Sequence, residues 1–443
     1  MILEYNYKQI LKVAIPMMIS GFIQSIVMIT DSAFISRYST EAFDAVGNGG
    51  LAYITMYMCL LGMGDGSQII IARRFGSNQL SRIGRVFGTS VITNLLLAIL
   101  LFVILYFLMP PQIVAYSKNQ TIASLQGQFI QIRSFALFFA FITVSIQAFF
   151  LAKGKTWVVL ISALITALSN VLLDYTLIFG KLGMPEMGLE GAALASTLAD
   201  GMGMLFLFIF LLISEDARSL KLFRHFSFNI RSMKELLKVG SPLMFQGFLA
   251  LATWTLFFTW LERKGQFDLT VSQNIRSIYF LAFVPIWGFA GTTKTYISQY
   301  LGAKRYDEIP KIQRRIQVLT IGFLLISFHG AILYPEKLIQ LINPEEAYLE
   351  KSAEILQFIV GSILIFGFVS VYFQTIHGSG NTLHSMLIEL TTVIIYSIAS
   401  YFLIVSWEVE VFWIWIVEYI YFISLGALSI GYLRIFDWKN KKV

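Results

Sequence analysis

The residues best suited to chemistry are carboxylates in apolar surroundings. Asp31 stands in VMITDSAFIS, residues 27–36, as the only charged side chain of that run. Ser162, Thr166, Asn170 and Asp174 recur every fourth residue, a spacing that puts all four on one helical face. Ser162 and Thr166 read as hydrogen-bonding residues between helices. Asn170 with Asp174 offers amide and carboxylate oxygen together, a donor set suited to a hard cation or a proton. Asp65, Asp200, Glu389 and Glu418 are further acids within apolar stretches, and Arg133, Arg276 and Lys294 are the basic exceptions. A carboxylate at mid-helix in a bilayer costs about 3 kcal/mol on insertion scales, so each acid needs a partner, a proton or water.

The elements that carry these residues must be membrane spans. The chain has 443 residues, of which 57% are hydrophobic and only 13% charged, against roughly 25% charged in soluble domains. Mean hydropathy is +0.71. The net charge of +7 is spread between apolar segments rather than gathered in one patch, which excludes nucleic acid as a partner and fits the positive-inside rule. Cys59 is the single cysteine, and the histidines at 225, 329, 377 and 384 show no ligand spacing. A disulfide framework and a metal enzyme are therefore not indicated. No phosphate-binding Gly-Lys motif is present to power work with nucleotide, so an ion gradient is the expected energy source and no cofactor is expected.

Twelve helical spans of about 20 apolar residues are predicted near 13–35, 49–72, 86–109, 131–152, 157–179, 190–213, 239–261, 273–299, 315–335, 353–375, 384–405 and 410–433. Of the 33 Lys and Arg residues, 23 fall in the tails and in the connections after even-numbered spans, and 8 in the opposite connections, Lys118 among them. Both termini are thus expected in the cytoplasm of a multi-pass cell-membrane protein. The start of the chain carries Glu4 and lacks a small-residue cleavage site, so the first span is expected to remain.

The polar stretch 214–238 divides the chain, and a repeat runs across it at a constant offset of 226 residues. LKVAIPMMISGF (11–22) matches LKVGSPLMFQGF (237–248) at seven of twelve positions, Gly76 falls on Gly302, and Gly154 and Thr156 fall on Gly380 and Thr382. Six spans per half preserve orientation, so the halves are parallel repeats, as in many secondary transporters whose substrate lies between the halves. Pro16 and Pro242 are repeat equivalents expected to bend or loosen spans 1 and 7. Asp31 lies 18 residues from Val13 and Asp174 17 from Trp157, so both stand about 26 Å from the cytoplasmic end. Their counterparts are Phe257 and Ser400, and that of Asn170 is Tyr396; ion chemistry is expected in the first half alone. Asp65, near Arg73 and Arg74, reads as a gate or structural ion pair, and Lys294 as the neutraliser of one of the acids. Asp200, beside Gly201 and Gly203, either lines the cavity or is ion-paired. Tyr53, Tyr57, Phe141, Trp254, Phe257 and Trp287 are candidates to hold planar cations by cation–π contact.

TDSAF in span 1, NVLLDYTLIFG at 170–180 and GLEGAALAS at 188–196 resemble the multidrug and toxic compound extrusion (MATE) family over the whole chain. The resemblance implies an all-α membrane protein of twelve helices in two six-helix lobes related by a parallel pseudo-two-fold: an N-lobe over 1–213, a cytoplasmic linker over 214–238 and a C-lobe over 239–443. It implies an antiporter that expels organic, often cationic, small molecules in exchange for H⁺ or Na⁺. Asp31 and Asp174 match the acids of the family's N-lobe ion site, Asn170 its amide, and Ser196 a position often held by threonine. Span 7 carries no acid near Ala250 and span 10 none past Glu354 at its start, which points to the N-lobe-coupled branch. A monomer is expected. The competing readings are a lipid-linked oligosaccharide flippase of the same superfamily, which would need basic cavity residues such as Arg133, Arg276 and Lys294, and a non-transporting scaffold or membrane enzyme.

Overall fold

The computed structural model describes residues 2–117 and 119–440, so Met1, Lys118 and residues 441–443 lie outside it. Among the described residues every regular element is helical. The twelve expected spans correspond in order to α1 (Tyr7–Tyr38), α2 (Thr40–Gly76), α3 (Leu80–Tyr116), α4 (Gln120–Ser134 and Leu137–Lys153), α5 (Thr156–Phe179), α6 (Gly188–Ile213), α7 (Ile230–Lys264), α8 (Gln266–Gly302), α9 (Ile309–Ser327), α10 (Glu346–Gly378), α11 (Thr382–Ser406) and α12 (Val411–Ile435). Ten of them are single helices long and apolar enough to cross a membrane, and α4 makes eleven when its two segments, bent by 46°, count as one span. The expected ninth crossing is the exception. Lys311, Arg314 and Arg315 occupy the first turns of α9, and the helix gives way after Ser327 to the short helix His329–Leu333.

The repeat is visible in where helices stop and start. α2 ends at Gly76 and α8 at Gly302. Gly154 after α4 has φ +79° and Gly380 after α10 has φ +78°, the left-handed conformation that terminates a helix and that glycine adopts without strain. α5 and α11 then begin at Thr156 and Thr382.

Two compact units result, one of residues 19–244 and one of residues 2–18 with 245–443. These bounds differ from the sequence seam at both ends: the first turns of α1 belong to the second unit, and the linker with the first turns of α7 belongs to the first. Both helices run unbroken through Pro16 and Pro242, so neither proline interrupts its helix. What changes is the packing partner, two residues beyond each proline. α4 is bent by 46° between Ser134 and Leu137, where the sequence has no proline.

In the first unit α5 and α6 pack closely through glycine. A Cβ on Gly191 would lie 2.6 Å from the Leu177 carbonyl oxygen, and one on Gly203 would lie 2.1 Å from the Thr166 hydroxyl. Small residues that let backbones meet are the usual adhesive of membrane helices. A buried polar chain crosses α2, α3 and α4, with Ser67 Oγ 2.6 Å from Ser90 Oγ and Asn94 Nδ2 donating to Ser145 Oγ at 2.9 Å. The linker docks on α3, where the Asn229 amide donates to Thr89 Oγ1 at 3.2 Å, and Asp216 pairs with Lys153 and Lys155. In the second unit the start of the chain is tied to α8: Tyr296 and Tyr300 hydroxyls donate to the carbonyls of Glu4 and Leu3 at 2.8 and 2.9 Å. An aromatic core of Phe257, Tyr279, Tyr396 and Trp415 fills the middle of that unit.

Two outcomes follow from this packing. Gly191→Ala forces α6 off a backbone carbonyl that cannot rotate away, and is expected to cost about 1–3 kcal/mol, measurable as a lowered unfolding temperature in detergent. Partial burial pushes the Asp216 carboxyl up, but the two lysines outweigh it and hold the group below the usual carboxylate range. Its stabilising contribution is present at neutral pH and is lost as pH falls through that lowered value. Asp216→Asn should flatten the acid side of a plot of unfolding temperature against pH.

Candidate functional site

α1, α5 and α6 bring together the four residues singled out for ion chemistry. Ser196 Oγ donates to Asp31 Oδ2 across a long 3.5 Å contact, and Asn170 Nδ2 donates to Ser196 Oγ at 3.3 Å. The Asp31 and Asp174 carboxyls lie within hydrogen-bonding reach of each other. Asn170 and Asp174 are each 1% exposed. The four-residue spacing of α5 explains why both point the same way.

The donor count at this site does not balance. Asp31 Oδ1, Asn170 Oδ1 and both carboxylate oxygens of Asp174 are buried and accept no hydrogen bond among the described residues. Buried oxygens are ordinarily satisfied, and two adjacent carboxylates repel unless a proton or cation joins them. The arrangement can therefore hold a proton shared between the acids or a small hard cation among the free oxygens.

The other polar residues of the α5 stripe are structural. Ser162 Oγ donates to the Gly203 carbonyl at 3.1 Å, and Thr166 packs on the same glycine.

Beside the acids lies a cluster whose membership the sequence did not reveal. Arg133 Nη1 is 2.8 Å from Asp200 Oδ2, and its guanidinium sits 4.3 Å from the centre of the Tyr53 ring. Tyr53 in turn stacks on Tyr57, with ring centres 6.1 Å apart and planes at 12°. Arg133 is close enough to Asp31 and Asp174 to act on both electrostatically. It is the second-last residue of the first α4 segment, immediately before the bend. Asp200 is thus ion-paired rather than free.

The remaining candidates scatter. Asp65 is half-buried on α2 in the first unit, whereas Lys294 is buried on α8 in the second. Phe141 is half-buried on α4. Phe257 is 1% exposed and packs against Trp415 and Tyr396 with ring centres 5.7 and 5.9 Å away; it belongs to the core of its unit and cannot present its face to a substrate. Trp254 stacks on Phe258, and Trp287 lies on the surface of its unit beside Phe280 and Phe283. Arg276 covers the Phe258 ring at 4.6 Å.

Comparison with known proteins gives the same picture over the whole chain. The family model described as MatE matches twice, over residues 16–176 and 242–402, which reproduces the offset of 226. A probable multidrug resistance protein NorM of Thermotoga maritima is 25% identical over 402 residues, 87% of this chain and 83% of the relative. A probable multidrug resistance protein YoeA of Bacillus subtilis is 20% identical over 97% of this chain and 93% of its own length. Among solved structures, one described as an outward-facing conformation of a multidrug resistance MATE family transporter of the MOP superfamily has a TM-score of 0.84 at 19% identity, covering 98% of this chain and 97% of that one. At that identity the likeness concerns the fold.

Removal of the carboxylate opposite Arg133 should leave a buried guanidinium without its partner. Asp200→Asn is expected to cost about 1–3 kcal/mol, read as a fall in unfolding temperature larger than that of Asp200→Glu.

Proposed function

The chain belongs to the MatE family of membrane transporters, and on that premise we propose that it is a secondary active antiporter exporting organic, cationic small molecules in exchange for an ion bound by Asp31, Asn170, Asp174 and Ser196. The observation that carries this reading is the set of four buried, unsatisfied oxygens shared by Asp31, Asn170 and Asp174. The relatives named as multidrug resistance proteins support an organic small molecule as the exported substrate. The distribution of basic residues supports a cytoplasmic location for both termini.

Carboxyl-to-carboxyl contact favours H⁺ over Na⁺, since one shared proton is itself the missing hydrogen-bond donor. Exchange requires that ion and substrate each bind one of two conformations better than the other. Binding of the ion neutralises part of the charge at Asp31 and Asp174, and so weakens the attraction for a cationic substrate held nearby. Release of the ion on the other side restores it. A flippase for pyrophosphate-linked lipids is less well supported, because Arg133 is committed to Asp200 and Arg276 to an aromatic face.

The test is efflux of a cationic dye from proteoliposomes under an imposed H⁺ or Na⁺ gradient. Efflux driven by a proton gradient is expected, with Na⁺ ineffective. Asp31→Asn should insert normally and lose at least about tenfold of the driven rate, the equivalent of one charge-assisted contact. Wild-type rates in Asp31→Asn would overturn the site, and efflux driven by Na⁺ alone would reassign the ion.

A further inference from the structure

The second unit holds two buried carboxyls that the antiport reading leaves unused. Glu418 on α12 is 5% exposed and Glu389 on α11 is 8% exposed. Neither forms an ion pair with another described residue; each is met by tyrosine. Tyr279 on α8 donates to Glu418 Oε2 at 2.5 Å and Tyr396 on α11 approaches Oε1 at 3.3 Å, while Tyr421 on α12 donates to Glu389 Oε1 at 2.6 Å. The Tyr396 and Tyr421 rings meet edge to face at 5.6 Å, which joins the two acids into one network.

The repeat gives this network a meaning. Tyr396 is the counterpart of Asn170, Ser400 of Asp174 and Phe257 of Asp31 at the offset of 226. In the first unit α5 hands a hydrogen bond from Asn170 to α6; in the second, α11 hands one from Tyr396 to α12. The Ser400 hydroxyl is fully buried beside Tyr396 and makes no hydrogen bond among the described residues. The place equivalent to the first ion site therefore still holds an acid, supplied by α12 instead of α1 and α5.

We propose that Glu418 is a second proton-binding carboxyl of this transporter, housed in the C-terminal unit and held by Tyr279 and Tyr396. The step is a simple protonation: the carboxylate takes H⁺ from the aqueous phase and becomes a neutral acid, and the same proton returns to water on release. The two phenols bring no charge to the carboxyl, and a hydroxyl can donate to it or accept from it, so the pair can hold Glu418 with or without its proton. The charged and titratable groups facing Glu418 are Tyr279 from α8 and Tyr396 from α11, with Tyr421 and Glu389 beyond. α10 contributes the Ser362 hydroxyl beside Tyr279, and Arg276, three residues before Tyr279, is turned to Phe258.

Infrared difference spectroscopy on the full chain in lipid, in an Asp31→Asn/Asp174→Asn background, reads this site without relying on the first. Subtracting the spectrum of Glu418→Gln should leave one protonated-carboxyl band that appears on acidification and disappears in alkaline buffer. A band that is present at every pH, or absent at every pH, overturns the proposal. Tyr396→Phe keeps the ring packing against Phe257 and removes one donor, so it should shift that band to higher frequency; an unshifted band overturns the proposal even if Glu418→Gln fails to fold.

Discussion

An oxygen atom withdrawn from water inside a membrane must find a donor, a proton or a cation, because leaving it unpaired costs several kcal/mol. Much of this protein is arranged around that requirement. The Ser67–Ser90–Asn94–Ser145 chain meets it between helices, Asp200 meets it with Arg133, and the two glutamates of the second unit meet it with tyrosine hydroxyls. At Asp31, Asn170 and Asp174 the requirement is left open.

The duplicated scaffold lets the two halves answer the same requirement differently. Helix ends at Gly76 and Gly302, left-handed turns at Gly154 and Gly380, and packing changes after Pro16 and Pro242 all repeat at one offset. Within that frame the first unit places small polar residues and close glycine contacts between α5 and α6. The second unit fills the corresponding place with the rings of Phe257, Tyr396 and Trp415, and there tyrosine hydroxyls meet the acid.

The bend in α4 matters because of what stands on it. A straight helix would continue the direction of its first segment past Arg133; the 46° turn after Ser134 ends that segment with the guanidinium seated between Asp200 and the Tyr53 ring. An internal cation beside two acids acts on both electrostatically, so the geometry of one helix reaches the charge balance around Asp31 and Asp174.

The apolar spans other than the ninth, the repeat with its paired glycines, and the common depth of Asp31 and Asp174 were legible in the sequence, and Ser196 joined them through the family resemblance. Length, apolarity and four-residue spacing are properties of a single helix, and depth in the bilayer follows from counting residues. The bend in α4, the Arg133–Asp200–Tyr53 cluster, the burial of Phe257, and the meeting of Glu418 with Tyr279 and Tyr396 were decided only by the tertiary structure. Each depends on how a helix is rotated about its own axis. In lipid, the outward face and the packed face are both apolar, so a one-dimensional pattern carries little record of which side chains turn toward one another.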